Sequence, residues 1–515
     1  MIIINSGAYV TQELQAEFGE IPPSLLPLAN RKLVEHQVKV LQACFPGEPV
    51  VVSLPDKYVL TRHEESLFAR LNTCIITTPE EFSLAAALLY TLNVSDSDSG
   101  VRILHGDTLF SDFPSEMDVV SIATSHDNYR WEKQNIPCGS LNYVWTGFFS
   151  FSCVKTLIRS LALCKDSFTD AVRKYGEKHP LTYKTIGKWY DLGHMNTYFR
   201  SRSEISTSRV FNSINVEANI LTKTGEPQSK IKAEREWYRN LPGVLKRYRP
   251  QVLGDGVENG TFFYQLEYLP INPLSELFVH GKNPLFFWEY VFSLIKEFLS
   301  ETLLFPGNPQ DIHATAQKLY ADKTWQRLRN FTELEAIDNE QPMHFSGRKL
   351  PSLQEICDEC ITRTQKLPLY TGILHGDLCF SNILIDLRSG MIKVIDPRGI
   401  DMENNNTIYG DVKYDLAKLT HSAIGLYDFI ISGYYHLTVK NSHHYDLCFD
   451  IDTRLEAIQN IFWTSEFLSG VTTEDIMPLT ILLFLSMLPL HSDKHVRQQA
   501  LLANALRLYN NYILG

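Results

Sequence analysis

The segment 373–398, ILHGDLCFSNILIDLRSGMIKVIDPR, decides the fold of the C-terminal part of this chain. Two short apolar runs flank Ser389-Gly390 and predict a β-hairpin that turns at this pair. Asn382 precedes the first run and Asp396 follows the second, so the hairpin returns Asp396 towards Asn382. Two oxygen donors would then face one hard cation.

The polar residues of this segment have the spacing that phosphoryl transfer requires. In His375-x-Asp377-x4-Asn382, an Asp can accept the proton of an attacking hydroxyl and an Asn can hold magnesium. We predict Asp377 as the catalytic base or hydroxyl-orienting residue. His375 belongs to the same catalytic group, where bracing of the loop is favoured over proton transfer. Asn382 and Asp396 are the predicted Mg²⁺ ligands.

The whole stretch, with the later Asp411-x3-Asp415-Leu-Ala element, resembles the aminoglycoside phosphotransferase and choline kinase family. The resemblance implies an α+β protein-kinase-like domain over residues 204–515. It implies ATP and Mg²⁺ as cosubstrate and metal, and a small hydroxylated molecule as phosphate acceptor. In relatives, the positions of Asp411 and Asp415 shape the acceptor pocket or the loop behind it, and their role here stays open.

Earlier residues complete the predicted nucleotide site. Residues 210–223 predict two closely spaced strands that end in Lys223, the best candidate for the lysine that holds the α- and β-phosphates. Lys230 and Lys232 are competitors. Glu234, on a charged helix predicted over 230–240, is the expected carboxylate partner of the lysine.

The segment FFYQLEYLPINPLSEL resembles the hinge of these kinases. The resemblance implies that backbone groups of Glu267, Tyr268 and Leu269 bind the edge of the adenine.

The first 200 residues have a different rhythm, in which short β-branched runs alternate with helical stretches and predict an α/β doubly wound sheet. A polar stretch at 201–208 predicts the boundary between the two domains. The predicted strands are 2–4, 50–53, 74–77, 102–104 and 119–123, and the predicted helices between them include 33–44 and 79–92.

Three ordered segments of this half, SLLPLANRKLVEHQ, ILHGDTLF and KWYDLGHMNTYF, resemble the sugar-phosphate nucleotidyltransferase family. The resemblance implies a GT-A-like nucleotidyltransferase domain over residues 1–203. It implies that Gly7 lies in the loop that covers the triphosphate and that Asp107 and Asp191 bind the metal.

The chain departs from that pattern at two cations. The family carries an Arg after the glycines of the loop and a Lys after the following proline, and both contact phosphates; neither is present here. Loss of these charges should slow a reaction between polyanions by orders of magnitude unless other cations replace them. Arg31, Lys32 and Lys188 are the candidates for replacement.

Bulk properties bound the remaining possibilities. A net charge of −11 over 515 residues gives no electrostatic footprint for nucleic acid. The most apolar segment, 477–490, is shorter than the roughly 20 residues needed to span a bilayer and predicts a core helix. We therefore expect a cytoplasmic protein without membrane insertion, whose oligomeric state the sequence does not reveal.

The two resemblances together imply successive activation of a small molecule. The leading hypothesis is a bifunctional enzyme that phosphorylates a hydroxyl and then joins the phosphate to a nucleotide, for surface polysaccharide precursor synthesis. Its second substrate would be another nucleoside triphosphate, with CTP as the candidate. One alternative is a small-molecule kinase with an inert nucleotide-binding or docking N-terminal domain. A protein-modifying kinase is disfavoured because no APE-like element follows Asp396.

Overall fold

The computed structural model describes residues 1–95, 100–125, 133–134, 143–205 and 212–515. These residues form two compact units, one of residues 1–205 with 280–283 and one of residues 206–279 with 284–515. The end of the predicted boundary stretch and the beginning of the predicted 210–223 strand pair lie outside the described residues.

The N-terminal unit is built on one mixed sheet with the strand order β11-β8-β10-β6-β1-β4-β5, in which β9 also pairs with β10. The strands β6, β1, β4 and β5 are parallel, whereas β10 is antiparallel to both β6 and β8. The strands are β1 (Ile2–Asn5), β2 (Pro27–Leu28), β3 (Arg31–Lys32), β4 (Val50–Pro55), β5 (Thr73–Thr78), β6 (Val101–His105), β7 (Thr108–Phe110), β8 (Val119–Thr124), β9 (Lys133–Gln134), β10 (Tyr143–Phe151), β11 (Thr182–Thr185) and β12 (Trp189–Asp191).

Helices cover both faces of this sheet. Ile3 of β1 belongs to a core with Leu88 and Leu157, whereas its neighbour Ile2 belongs to a second core with Val34 and Leu67. Because successive strand residues point to opposite faces, the all-apolar β1 fits a sheet that is buried on both sides. The helices are α1 (Gln12–Phe18), α2 (Leu33–Cys44), α3 (Arg62–Arg70), α4 (Leu84–Val94), α5 (Val154–Cys164), α6 (Phe168–Gly176) and α7 (Met195–Glu204).

The predicted strands of this unit and the predicted helix 33–44 are present, and one predicted helix begins at a different residue. Helix α4 begins at Leu84 and not at residue 79, because the Ser83 hydroxyl accepts a hydrogen bond from the Ala86 N–H at 3.2 Å and caps the helix. The predicted α/β doubly wound sheet is present.

The C-terminal unit begins with an antiparallel sheet of order β13-β14-β16-β15, against which helix α8 packs. The predicted catalytic hairpin is present as strands β21 and β22. In its register Ile383 lies opposite Val394 and Asp386 lies opposite Met391. The strands are β13 (Asn212–Glu217), β14 (Ile220–Gly225), β15 (Val252–Glu258), β16 (Thr261–Glu267), β17 (Asn272–Pro273), β18 (Pro342–Phe345), β19 (Arg348–Ser352), β20 (Thr371–Ile373), β21 (Ile383–Asp386), β22 (Met391–Val394), β23 (Tyr409–Asp411), β24 (His436–Asn441) and β25 (His444–Cys448).

Most helices of this unit follow the first sheet along the chain, which gives the predicted α+β fold. The helices are α8 (Gln228–Asn240), α9 (Leu274–His280), α10 (Leu285–Thr302), α11 (Pro309–Gln317), α12 (Lys323–Leu334), α13 (Leu353–Lys366), α14 (Lys413–Ala423), α15 (Tyr427–Ser432), α16 (Thr453–Thr464), α17 (Thr473–Met487) and α18 (His495–Tyr512).

Beyond residue 285 the unit contains strands besides those of the catalytic hairpin, which the sequence analysis did not predict. A further sheet of order β19-β18-β25-β24 lies there, and β20 pairs with β23. Strands β18 and β19 turn at Ser346-Gly347, whose φ values of 48° and 81° fit a two-residue hairpin loop. Both strands are short, and β19 begins with Arg348 and Lys349, so their apolar alternation is weak in the sequence.

Helix α17 includes most of the apolar segment. Thr473–His491 is long and apolar enough to cross a membrane, but 78% of its apolar window is buried inside the protein. A core helix satisfies the same length and composition.

Candidate phosphoryl-transfer and nucleotide sites

Lys223 is the centre of the first cluster in the C-terminal unit. It lies on β14 with its side chain 2% exposed, and its Nζ is 2.7 Å from Glu234 Oε2 and 2.9 Å from Asp396 Oδ1. Burial alone would lower the pKa of Lys223, but the charges of Asp396 and Glu234 outweigh it and raise the pKa. The lysine is therefore held as a cation.

Glu234 reaches Lys223 from helix α8. The Tyr264 hydroxyl, on β16, donates to the same Glu234 oxygen at 2.9 Å. The competitors Lys230 and Lys232 are exposed on α8, where Lys232 lies 5.5 Å from the centroid of the Phe262 ring. Of the three candidate lysines, Lys223 is the one that the fold brings to both carboxylates.

Asp396 follows β22 with a left-handed backbone, φ 58°, which is uncommon outside glycine. Its N–H donates to the Tyr238 hydroxyl at 3.0 Å, and its carboxylate is 30% exposed. A strained residue that carries a half-exposed carboxylate is typical of a functional position.

The loop before β21 holds the predicted catalytic group together. Asn382 Nδ2 donates to Asp377 Oδ2 at 3.0 Å, and the Ile395 N–H donates to the Asn382 carbonyl at 3.0 Å. The first bond orients the two side chains, and the second keeps Asn382 beside the residue that precedes Asp396. The hairpin thus brings Asp377, Asn382 and Asp396 into one region, as its register predicts.

His375 is fully buried and its Nε2 bonds to the Ile395 carbonyl at 3.0 Å. Burial lowers the pKa of His375 to about 4, so the ring is neutral at ordinary pH. These contacts place His375 between the loop and the hairpin, where it braces the loop.

Asp415, whose role the sequence left open, supports the same loop from helix α14. Its two carboxylate oxygens accept the N–H groups of His375 at 2.7 Å and Gly376 at 2.8 Å. Burial raises the pKa of Asp415 to about 7. Asp411 has a different set of partners, which are the Tyr320 hydroxyl at 2.9 Å and Lys413 Nζ at 2.7 Å.

Sequence reasoning missed Lys418. Its Nζ lies 2.9 Å from Asp377 Oδ1, and the charge of Asp377 outweighs burial and raises the pKa of Lys418. Lys418 lies three residues after Asp415 on the same helix, and residues three apart lie on one helix face. That spacing could have indicated that Lys418 faces the same loop as Asp415.

The predicted hinge residues end β16. The Glu267 and Tyr268 N–H groups donate to the carbonyls of Gln251 at 3.0 Å and Asn219 at 2.8 Å, and the Leu269 carbonyl accepts from Ile271 at 2.9 Å. These backbone groups are engaged within the chain, and adenine binding at the hinge stays a prediction.

In the N-terminal unit, Asp107 and Asp191 are brought close together by the pairing of β7 with β12. The Leu192 N–H donates to the Asp107 carbonyl at 2.9 Å. Burial and the negative charge of Asp191 raise the pKa of Asp107 to about 6. Asp191 Oδ2 accepts from Thr197 Oγ1 at 2.6 Å and pairs with His194 Nδ1 at 2.8 Å.

Gly193 makes this approach possible, and the sequence analysis did not single it out. A Cβ at this position would lie 2.3 Å from Asp107 Oδ2. Any side chain there would displace the carboxylate.

Gly7 follows β1 and packs against the sheet. A Cβ at Gly7 would lie 2.4 Å from Thr78 Oγ1, and the Gly7 carbonyl accepts from that hydroxyl at 3.3 Å. This packing requires a glycine independently of any ligand, so contact with a triphosphate stays a prediction.

The proposed replacement cation Lys32 is not available to a phosphate. Its Nζ forms an ion pair with Glu64 Oε1 at 2.9 Å, and both side chains are 3% exposed. The expectation that Lys32 can replace a missing cation is therefore wrong, because the chain already neutralises its charge. Arg31 and Lys188 are exposed.

Two residue sets suit the implied magnesium. Asp107 with Asp191, and Asn382 with Asp396, supply the oxygen ligands that Mg²⁺ prefers. The raised pKa of Asp107 reflects burial and the negative charge of Asp191, and a bound cation would offset that charge. Within the described ranges, no three or more His, Cys, Asp and Glu side chains form a metal-binding group. Such pairs suit a Mg²⁺ ion that keeps water and substrate phosphates as its other ligands.

Comparisons with known proteins give similarity at the level of fold. No family model matches the chain, and no curated protein matches it. Among solved structures, a putative glucose-1-phosphate thymidylyltransferase from Bacillus anthracis shows 14% identity and a TM-score of 0.31, covering 40% of this chain and 96% of that chain.

Two other solved structures match over a larger share of this chain. A mutant aminoglycoside 2′-phosphotransferase-IIIa in complex with GDP shows 12% identity and a TM-score of 0.39, covering 60% of this chain and 91% of that chain. A putative fructosamine-3-kinase from Haemophilus somnus shows 16% identity and a TM-score of 0.34, covering 59% of this chain and 89% of that chain. The chain is thus similar to proteins of both predicted kinds.

Proposed function

We propose that the C-terminal unit is an ATP-dependent kinase of a small hydroxylated molecule. The observation that carries this proposal is the bridge from Lys223 to Glu234 and Asp396 beside the loop that holds Asp377 and Asn382. A lysine fixed by a helix carboxylate, two metal ligands and an Asp near the acceptor are the parts that phosphoryl transfer uses.

In the proposed reaction, the acceptor oxygen bonds to the γ-phosphorus of ATP and the bond from that phosphorus to the β–γ bridging oxygen breaks. Asp377 orients the hydroxyl, accepts its proton and later releases that proton to solvent. The products are the phosphorylated acceptor and ADP. Lys223 binds the phosphates, and Asn382 and Asp396 hold Mg²⁺. When bound, the metal neutralises charge that develops on the transferred group.

Incubation of the full chain with Mg-ATP and a panel of sugars, amino alcohols and polyol acids tests the kinase proposal. We expect one acceptor class to gain the mass of a phosphoryl group with equal release of ADP. ATP hydrolysis or no reaction with the entire panel would count against it.

For the N-terminal unit we propose nucleotidyl transfer from a second triphosphate, with CTP as the candidate, onto the phosphorylated product. The observation behind this proposal is the carboxylate pair of Asp107 and Asp191. Phosphorylation followed by nucleotidyl transfer is a chemistry that suits synthesis of an activated surface polysaccharide precursor. The alternative is an inert docking unit, which the burial of Lys32 favours because one candidate phosphate ligand is removed.

Release of pyrophosphate separates these two functions. With the phosphorylated product and each common triphosphate in turn, the enzyme should release pyrophosphate, and Asp107→Ala should abolish this release while leaving ADP production unchanged. Asp112→Ala, at an exposed position, is the matched control. Absence of pyrophosphate with every triphosphate would identify the unit as inert.

A further inference from the structure

Four basic side chains of the C-terminal unit lie close enough to interact electrostatically, and two of them, Lys418 and Lys323, also interact with Asp377. They are distinct from the residues around Lys223. Lys323 and Arg327 lie on α12, Arg398 follows the hairpin, and Lys418 lies on α14. We refer to these four residues as the basic cluster.

Local contacts fix each member of the basic cluster. Lys418 pairs with Asp377 at 2.9 Å, and Lys323 Nζ donates to the Tyr414 hydroxyl at 3.3 Å. The Arg398 N–H donates to the His375 carbonyl at 2.8 Å. These bonds tie the cluster to the catalytic loop and to helix α14.

The side chains of Arg327 and Arg398 contact uncharged groups. One Arg327 guanidinium nitrogen donates to the Ser486 carbonyl at 3.1 Å, and one of Arg398 lies 3.1 Å from Met402 Sδ. A guanidinium presents five donors, so one such bond leaves most of its capacity for a ligand.

Charge in the cluster is unbalanced. Burial lowers the pKa of Lys323, and the charges of Arg398, Arg327 and Lys418 lower it further, whereas Asp377 acts in the opposite direction. In the described part of the chain, no Asp or Glu lies within ion-pair distance of Lys323, Arg327 or Arg398. In a protein of net charge −11, this local excess of positive charge is expensive unless an anion binds.

We propose that the acceptor of the kinase reaction is itself an anion, a hydroxylated carboxylic acid or phosphate ester whose acidic group binds Lys323 and Arg327 while its hydroxyl faces Asp377. This inference rests on the proposed kinase function and names its substrate class. Arg suits such a role because its planar donors match the geometry of carboxylate and phosphate. The transferred phosphoryl group of ATP is the other oxyanion that the cluster can contact, and the experiment distinguishes the two sources.

The first arm of the experiment uses matched pairs of acceptors with the full chain and Mg-ATP. Glycerate is compared with glycerol, gluconate with sorbitol, and glycerol 3-phosphate with glycerol, by release of ADP. We expect kcat/KM for the anionic members to exceed that of their neutral partners by roughly 10- to 100-fold, the range for one charged hydrogen-bonded contact. Preference for the neutral members would overturn the inference and leave the kinase proposal standing.

The second arm uses Lys323→Gln and Arg327→Gln, with Arg329→Gln as the control because Arg329 is exposed on the same helix. Each cluster variant should raise the KM of the anionic acceptor by roughly 10- to 100-fold and leave the KM of ATP unchanged. A rise in the KM of ATP alone would assign the cluster to the nucleotide and overturn the inference. Circular dichroism checks that the variants are folded.

Direct titration keeps the two proposals separable. Glycerate, gluconate and glycerol 3-phosphate are titrated calorimetrically into the wild type, Arg327→Gln and Arg329→Gln without nucleotide. Binding that is lost only in Arg327→Gln supports the anion site even if no phosphorylation is found. Equal binding by all three proteins, or binding by none, counts against it.

Discussion

Two buried lysines, Lys32 in the N-terminal unit and Lys223 in the C-terminal unit, have different surroundings. Lys32 pairs with Glu64, and both side chains are almost completely excluded from solvent. Lys223 is equally buried, but one of its partners, Asp396, is 30% exposed. Both charges of the first pair are closed off from solvent, whereas the second network includes a carboxylate that solvent reaches. Burial of a lysine therefore indicates a site only when its network reaches an accessible group.

The largest expected effect concerns Asp377, the proposed base on the loop next to the Lys223 network. Asp377→Asn should lower turnover by roughly 10²–10⁴-fold, the range for loss of a general base, and leave ATP affinity nearly unchanged. Steady-state ADP release and calorimetric titration with ATP check both parts. Asp386→Asn is the control, because Asp386 accepts hydrogen bonds from the Arg388 N–H and the Ser389 hydroxyl in the hairpin turn. Wild-type turnover in Asp377→Asn would show that this aspartate is not the base.

The closed pair should respond in stability and not in phosphoryl transfer. Lys32→Met removes the cation that pairs with Glu64 and leaves the Glu64 carboxylate buried. The free energy of unfolding of the N-terminal unit should therefore fall by about 3–5 kcal/mol. Urea-dependent hydrogen exchange of β4 and β5 amides measures this loss, and the kinase rate should stay at the wild-type value.

Lys57→Met is the matched control for Lys32→Met. Lys57 pairs with Glu80 at 3.0 Å on the surface, where water already solvates both charges. Its exchange rates should match those of the wild type. An equal effect of both substitutions would contradict the distinction between closed and exposed pairs.

Two buried carboxylates sharpen the comparison through pH. Burial would raise the pKa of Glu64, but the charges of Lys32 and Lys282 outweigh it and lower the pKa to about 2. Asp415, buried on backbone N–H groups, has its pKa raised from 3.8 to about 7. Between pH 3.8 and about 7, Asp415 keeps a proton in the folded protein that it has lost in the unfolded chain. Asp415 stabilisation is therefore complete below pH 3.8 and is lost as the pH rises through 7.

Asp415→Asn removes this dependence. From pH 5 to 7, the free energy of unfolding of the wild type should fall relative to the variant by at most about 1.4 kcal/mol per pH unit. Urea unfolding of both proteins at several pH values gives the difference, in which other titrating groups cancel. Parallel curves would exclude the raised pKa of Asp415.

The smallest expected effect concerns Tyr264, a buried residue whose hydroxyl contacts Glu234. Tyr264→Phe removes the hydroxyl that donates to Glu234 and should cost about 1 kcal/mol, which corresponds to a roughly fivefold rise in the KM of ATP. Steady-state kinetics at saturating acceptor measures it. Tyr183→Phe, at an exposed position of the N-terminal unit, should leave the value unchanged. No change in Tyr264→Phe would place the positioning of Glu234 elsewhere.

Patterns with a strong local signal were predicted from the sequence. The helix at residues 33–44 and the hairpin after Asn382 match the structure because apolar spacing is strong in both. Strands β18 and β19 were missed, since both are short and form by pairing with each other, and of β18 with β25, and not by local preference.

The sequence alone determined which residue types stand in order along the catalytic hairpin, because strand register follows from alternation and turn residues. Tertiary structure alone decided which charges meet. Lys223 and Glu234 are 11 residues apart, but Asp396 is 173 residues from Lys223, and the contact exists because β14, α8 and the hairpin pack together. Packing within the N-terminal unit likewise brings Lys32 to Glu64, and packing within the C-terminal unit brings Lys418 to Asp377. Ionic contacts depend on distances of a few ångströms, and only the folded chain sets those distances.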